Sequence, residues 1–427
     1  MYRLQVAGRD DPGAVFLAEL RTQDNENTDN DNTDNDKWNI MWRTNKLLLF
    51  SLLLITLQWQ CVQKYNSPYV SPPTGYLVVE GYISGNSPTQ YTLSRTIPLP
   101  GDSAIPVETG AKVQVEGTDN SVEPLTEQSA GTYVAGTLTL NAATQYRLRI
   151  TTSGGEQYLS SYVPYKPTPP IDSVSWTYSS GGVQLYVNTH DPANATRYYQ
   201  WEYGETWKYN SAEESTVQYD ADTSPVAVVY RPEANQIYTC WRSDSSTSIL
   251  ISSSAKLAQD VIYLQPLTLI PSGAQQLSVE YSIHVRQYAL TEDGYNFLTL
   301  MQSNTESLGT IFDPQPSELK GNIQCLTNPN EPVVGWVSAG TVQQQRIFIR
   351  RTQLPFWHYS FECPIPDTVV NTDTTALIHF FVYSGYTPVD ADYSLSGVLL
   401  GWYSNVVQCI DCRLQGGTTQ EPSFWQN

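Results

Sequence analysis

Residues 277–286 read Leu-Ser-Val-Glu-Tyr-Ser-Ile-His-Val-Arg. Leu277, Val279, Tyr281, Ile283 and Val285 alternate with Ser278, Glu280, Ser282, His284 and Arg286. Successive side chains of a strand point to opposite faces, so this stretch predicts a strand with one face in a core and the other toward solvent. Similar short runs continue outward on both sides. Toward the N-terminus lie Val183/Leu185/Val187, Gln157–Tyr162, Tyr146–Ile150, Gly131–Val134, Ala111–Glu116, Tyr91–Thr96 and Leu77–Ile83. Toward the C-terminus lie Val333–Val337, Arg346–Arg350, Ala376–Tyr383 and Gly397–Tyr403. Many short strands between polar turns predict antiparallel sandwiches, hence a mainly β protein. One helix is expected: Thr291 as N-cap, Glu292 and Asp293 in the first turn, then Tyr295, Phe297, Leu298 and Met301 on one face.

Lys166-Pro167-Thr168-Pro169-Pro170 reads as a stiff linker. It divides an N-terminal Ig-like sandwich, residues 76–165, from a larger antiparallel β domain, residues 166–427, which holds the helix. In the first part, a Gly-Ala-x-Val-x-Val strand followed by a Gly-x-Tyr strand resembles the small sandwich of carboxypeptidase-regulatory-like domains. Two domains suit a length of 427 residues.

The beginning of the chain reads differently. Residues 24–36, DNENTDNDNTDND, have no apolar period and cannot build a core. Asp29, Asp31 and Asp34 have a spacing reminiscent of a calcium loop but lack its turn glycine and distal glutamate. Residues 1–40 are therefore expected to be disordered or to lie upstream of the true start. Met41 opens an export signal, residues 41–60: Arg43 and Lys46 are the positive region, and Leu47–Leu57 is the apolar region. The apolar stretch is short of the roughly 20 residues that span a bilayer. It ends at Cys61, with Leu57 four residues before it, in the manner of a bacterial lipoprotein signal; Gln60, Trp59 and Gln58 depart from the small residues preferred there. Cys61 is the expected lipidation site, and residues 61–75, rich in Pro and Ser, the tether.

From residue 61 onward the chain carries 17 basic and 33 acidic side chains, a net charge of −16. Such a balance argues against nucleic acid, whose binding needs a basic face to displace counterions. With Cys61 lipidated, Cys240, Cys325, Cys363, Cys409 and Cys412 remain. In an oxidising envelope most should pair, and the odd number leaves one over. Cys409-x-x-Cys412 lacks the second ligand pair of a structural zinc site and the βαβ setting of a redox pair. Cys363 is expected to bond one of Cys409 and Cys412, and the other to reach a more distant partner, with Cys240 the first choice.

The chemistry-bearing residues form no recognisable motif. Neither a nucleophile elbow, a zincin helix nor a phosphate or dinucleotide loop is present. His190, His284, His358 and His379 are scattered, and His379 reads as a hydrogen-bonded sheet histidine. His284 with Glu280 and Arg286 forms a polar sheet face, and Glu213/Glu214 is an acidic pair without a readable separation. No metal, cofactor or turnover of polysaccharide, peptide or ester is expected. The surplus is aromatic. In RYYQWEYGETWKYN, residues 197–210, Trp201, Tyr203, Trp207 and Tyr209 share one strand face by parity. They either fill a core between two sheets or stack on a sugar or peptide.

Several segments together resemble a known family. They are Leu77-Val78-Val79-Glu80-Gly81, Leu93-Ser94-Arg95-Thr96 and Gly110-Ala111-Lys112-Val113, followed by Arg197-Tyr198-Tyr199-Gln200-Trp201 and Cys240-Trp241. Tyr281-Ser282-Ile283, Gln287-Tyr288, Phe312–Pro316, Gly321-Asn322-Ile323 and Asn328-Pro329 continue the order. It ends with Cys409-x-Asp411-Cys412-Arg413, Gly416-Gly417-Thr418 and Pro422-x-Phe424-Trp425. In this order the chain resembles the Bacteroidota outer-membrane lipoproteins grouped as domain of unknown function four-two-four-nine. The resemblance implies a non-catalytic surface lipoprotein that accompanies a TonB-dependent β-barrel receptor. A stand-alone glycan- or peptide-binding lipoprotein is the alternative. Several acyl chains hold a protein firmly to a bilayer where one does not. Cys61→Ser is therefore expected to release the chain from membranes or leave its signal uncleaved; a variant that fractionates with membranes at wild-type mass contradicts the anchor.

Overall fold

The computed structural model describes residues 75–97, 104–222, 227–306, 319–359, 361–370 and 374–425. Cys61, the export signal, the tether up to residue 74 and Phe312–Pro316 lie outside the described residues. The first part of the chain forms β1 (Leu77–Ser84), β2 (Pro88–Arg95), β3 (Lys112–Gly117), β4 (Val122–Ser129), β5 (Thr132–Thr137), β6 (Gln145–Thr151), β7 (Gln157–Ser160) and β8 (Val163–Lys166). Then come β9 (Ile171–Ser179), β10 (Gly182–Asp191), β11 (Tyr198–Asn210), β12 (Val217–Asp220), β13 (Ala227–Tyr230), β14 (Thr239–Ser245), β15 (Leu250–Ser253), β16 (Asp260–Pro271) and β17 (Glu280–Ala289). Helix α1 (Glu292–Glu306) precedes β18 (Ile323–Cys325), β19 (Val334–Gly335), β20 (Ala339–Gly340) and β21 (Val342–Arg350). The last part holds β22 (Asp367–Val370), α2 (Thr374–Ile378), β23 (Tyr386–Tyr393), β24 (Leu399–Val406) and the short α3 (Val407–Ile410). The protein is mainly β, with one long helix and short helical segments near the C-terminus.

In the first module the strand pairings form a ring: β6-β3-β4-β5-β2-β1-β20-β8, with β8 returning to β6. Inside it lie Leu77, Val79, Ile83, Tyr91, Leu93, Val113, Val115, Tyr133, Leu148 and Ile150. These are the apolar positions of the alternating runs, now all turned inward. The ring needs residues from far along the chain. β18 pairs with β7, and β19 and β20 run parallel to β1. Gly335 lies so close to β1 that a Cβ there would sit 2.3 Å from the Val79 carbonyl. Residues 323–340 thus belong structurally with the first module, and the linker at 166–170 does not separate two independent stretches of chain.

The second module packs two sheets face to face. One is β16-β10-β9; the other is β14-β11-β17-β21, with β15 on β11. Val183, Leu185 and Val187 from the first meet Trp201, Tyr281, Ile283 and Val285 from the second. The alternating stretch that begins at Leu277 enters the ladder only at Glu280: residues 275–277 form a 3-10 turn, with Leu277 still buried. Helix α1 begins as expected, the Thr291 hydroxyl accepting the Gly294 amide at 3.1 Å. Phe297 packs against Trp336 with ring centroids 5.6 Å apart.

The strand expected over Ala376–Tyr383 is helical instead. α2 continues into one π-helical turn over His379–Tyr383, so His379 is not a sheet histidine. Its Nδ1 lies 3.2 Å from the Ser384 hydroxyl. Apart from His379 the run is apolar or aromatic and has no period to settle strand or helix. Leu377 enters a core with Trp402, Val369 and Val217, while Phe380 and Phe381 pack only partly, which suits a helix with one face down.

The proline-rich segment at 166–170 is not a free spacer. Thr168 and Pro169 are buried. The Thr168 amide donates to the Thr341 hydroxyl at 2.8 Å, and the Ala289 amide donates to the Thr168 hydroxyl at 2.9 Å. Asn86 of the β1–β2 turn exchanges two 2.8 Å hydrogen bonds with the backbone of Val342. At the centre of this seam is Gln287, wholly buried on β17. Its carbonyl accepts the Trp201 indole N–H at 2.8 Å, and its amide donates to the Pro169 carbonyl at 2.8 Å and the Thr189 hydroxyl at 3.0 Å. Gln287→Leu keeps much of the volume and strands those partners, at about 1–3 kcal/mol for buried groups left unsatisfied. A lower midpoint in denaturant is expected, and an unchanged midpoint would show that the seam carries no such cost.

Candidate interaction surface

The row Trp201, Tyr203, Trp207 and Tyr209 is core, not a platform for a ligand. β11 is bordered on both sides, and its odd-numbered face is the inner face of the sandwich. Trp201, Trp207 and Tyr209 are at most 3% exposed, and Tyr203 packs beside them. Each buried polar tip is satisfied. The Trp207 indole donates to Gln275 Oε1 at 3.1 Å, and the Tyr209 hydroxyl donates to the Cys412 carbonyl at 2.7 Å. Trp201 stacks on Tyr199 with centroids 5.7 Å apart. Parity placed these rings together, but only the opposing β9/β10/β16 sheet decides that their side is the inside.

The cysteines form two bonds, Cys240–Cys412 and Cys363–Cys409, with Cα separations of 5.7 and 5.9 Å. Among the described residues Cys325 is the free thiol, buried in the first module. Cys409 and Cys412 therefore serve different partners. One bond ties the end of the chain to β14 of the central sheet; the other closes the C-terminal lobe on itself. The Cys412 amide also donates to the Ile237 carbonyl at 2.9 Å.

The acids and histidines singled out by the sequence are dispersed. Glu280 accepts from Arg350 at 3.0 Å and from the Trp425 indole at 3.1 Å, so it is not a proton partner for His284. Glu213 accepts the Asn405 amide at 2.9 Å. His190 pairs with Asp172 at 2.8 Å on an exposed edge. Two acids, one buried and one half-buried, carried no signal in the sequence. Asp260 accepts the Tyr199 and Ser254 hydroxyls. Glu205 lies on the inward-facing side of β11 and accepts the Tyr281 hydroxyl at 2.8 Å. Among the described residues no cluster of three or more His, Cys, Asp or Glu has a metal-holding arrangement.

What stands out is the C-terminal lobe, built from β22-β24-β23 with the β12–β13 hairpin beside it. The turn between β23 and β24 is tightly made: the Gly397 amide donates to the Ser394 carbonyl at 2.9 Å, the Ser394 amide donates to the Val398 carbonyl at 2.8 Å, and Gly397 takes φ +80°. It holds Leu395 wholly out in solvent, with Tyr393, Val398 and Leu400 beside it in sequence, also exposed. Residues 393–410 contain no charged side chain. Elsewhere on the lobe Ile365 is 92% and Tyr383 76% exposed. Isolated exposed apolar residues are ordinary; a rigid, uncharged apolar tip is the kind of surface that a partner covers.

A family model described as a domain of unknown function, DUF4249, matches residues 64–346. The chain belongs to that family. The match ends within β21, before the C-terminal lobe begins. A search of curated proteins gives no match.

Glu205 supplies a pH test of the core. Burial pushes its carboxyl pKa up, the Tyr281 hydrogen bond opposes this, and the nearby Asp244 charge adds to the rise. A carboxyl raised in the folded state binds its proton there more tightly than in the unfolded chain. Its contribution therefore falls as pH rises from the ordinary glutamate range, about 4.3, through the raised folded value. Glu205→Gln, which can still accept from Tyr281, is expected to melt higher than wild type at pH 7.5. The gap should close toward roughly pH 4, where the native carboxyl also becomes protonated. A gap independent of pH would exclude ionisation of Glu205 as its cause.

Proposed function

We propose that the protein is a non-catalytic surface lipoprotein of the outer membrane, anchored at Cys61, and an accessory subunit of a TonB-dependent nutrient transporter. The observation that carries the docking role is the apolar hairpin tip Tyr393–Leu400, held rigidly by its own turn and left uncovered. Burying a Leu or Val side chain at a contact is worth about 1.5–3 kcal/mol, so a tip bearing Leu395, Val398 and Leu400 is a strong anchor. The export signal read in the sequence and the resemblance to outer-membrane lipoproteins support the envelope setting. The non-catalytic reading draws support from the acids: Glu205, Glu280 and Asp260 are engaged in internal hydrogen bonds. The alternative, a stand-alone binder of glycan or peptide, loses its best platform because the Trp201–Tyr209 row is core.

A pull-down from detergent-solubilised membranes tests the reading. The wild-type chain is expected to retain a β-barrel receptor. Leu395→Asp with Val398→Asp should lose it at an unchanged melting temperature, since neither side chain contributes to a core. Failure of the wild type to retain a barrel would overturn the subunit role; equal retention by the variant would overturn the hairpin as its contact.

A further inference from the structure

The outer face of the central sheet carries cations in an otherwise acidic chain of net charge −19. The ladder places Ser245, Gly204, His284 and Arg346 side by side across β14, β11, β17 and β21. The adjoining row on the same face is Glu202, Arg286 and Gln344. Gly204 leaves a gap in the first row: only the Asp244 carbonyl, at 4.0 Å, would meet a Cβ placed there. Gly204 thus leaves the backbone open beside His284, which stands between it and Arg346 in the row.

The acids on this face are already matched. Glu202 takes Arg286 at 2.9 Å and the Tyr288 hydroxyl at 3.0 Å. Glu280 takes Arg350 and the Trp425 indole. Arg346 is different. It donates to the Ser282 hydroxyl at 3.0 Å, and its guanidinium carbon lies 3.7 Å from the centroid of the Phe424 ring. Among the described residues no carboxylate pairs with it. The C-terminal segment holds it in this pose. Trp425 packs edge-on against Trp241 and Phe348, and Thr418 forms a β-bridge with Trp241, so Phe424 is fixed over Arg346.

A guanidinium held by a ring on one face and a hydroxyl at one nitrogen still has N–H donors in its fork, in the geometry that carboxylates accept. Burial and the two arginines lower the His284 pKa, keeping the imidazole neutral at physiological pH. With Glu202–Arg286 and Glu280–Arg350 paired, and Lys208 of the same face lying over the Trp241 ring, Arg346 presents, among the described residues, a guanidinium without a carboxylate, and one such charge suits a single negative charge better than a phosphate dianion.

We propose that Arg346, with His284 beside it on the outer face of the sheet, is a binding site for a monoanionic carboxylate ligand. The carboxylate comes from a peptide terminus or a uronic acid. Saturation-transfer NMR on the full chain in detergent tests it, with N-acetylglycine and glucuronate as probes and N-acetylglycinamide as the neutral control. A saturable response to one or both acids and none to the amide is expected, and the arm that responds identifies the source. Arg346→Gln should weaken binding about tenfold or more, the loss of a charge-assisted pair; Arg346→Lys, which keeps the charge without the fork, should fall between. No saturable response to either acid, an equal response to the amide, or undiminished binding by a folded Arg346→Gln chain would overturn the site.

Discussion

At the Gln287 carboxamide three parts of the chain meet away from solvent. One amide group accepts from Trp201 in the aromatic core and donates to Pro169 in the linker and Thr189 in the facing sheet. A buried amide is tolerable only when its donors and acceptors are matched, so this arrangement permits one relative placement of the strands that supply the partners. Thr168 and Asn86 extend the constraint to Thr341, Ala289 and Val342, joining the first module to the second by directional bonds rather than apolar contact alone. The positions of the central sheet and its outer face follow from that seam.

The C-terminal lobe is fastened by a different kind of constraint. Cys409 and Cys412 sit three residues apart and diverge, one to Cys363 within the lobe and one to Cys240 on the central sheet. The bond to Cys240 closes a loop of 172 residues, and long loops lose the most chain entropy when closed. The last residues then have a fixed starting point from which to cross the sheet. Gly417 fits that crossing because a Cβ there would lie 2.3 Å from the Tyr209 hydroxyl. The result is a strap whose Phe424 and Trp425 convert an ordinary polar sheet face into a partly enclosed one.

These two constraints separate two surfaces with different chemistry. The apolar hairpin tip offers area and no charge, which suits docking of a protein partner. The Arg346 face offers a directed charge without a carboxylate partner among the described residues, which suits a small acid. Neither depends on the aromatic row that first draws the eye in the sequence.

Period-two alternation, the Thr291 cap and the odd cysteine count could be read from the sequence, because each depends on neighbours within a few residues. Alternation assigns residues to faces, but which face becomes the interior depends on a second sheet. Trp201 and Trp207 therefore became core, and the even-numbered face of β11 with His284 and Arg346 became surface. The largely apolar run 376–383 had no period to break the tie, and contacts at Leu377 decided for helix. Residues 323–340 completed the first ring through pairings with strands more than 150 residues away, and no local pattern encodes such partners. The sequence alone determined which short segments could be strands and which cysteines were available. The tertiary structure decided what each strand faced, because burial and long-range hydrogen-bond matching belong to pairs of segments and not to any one of them.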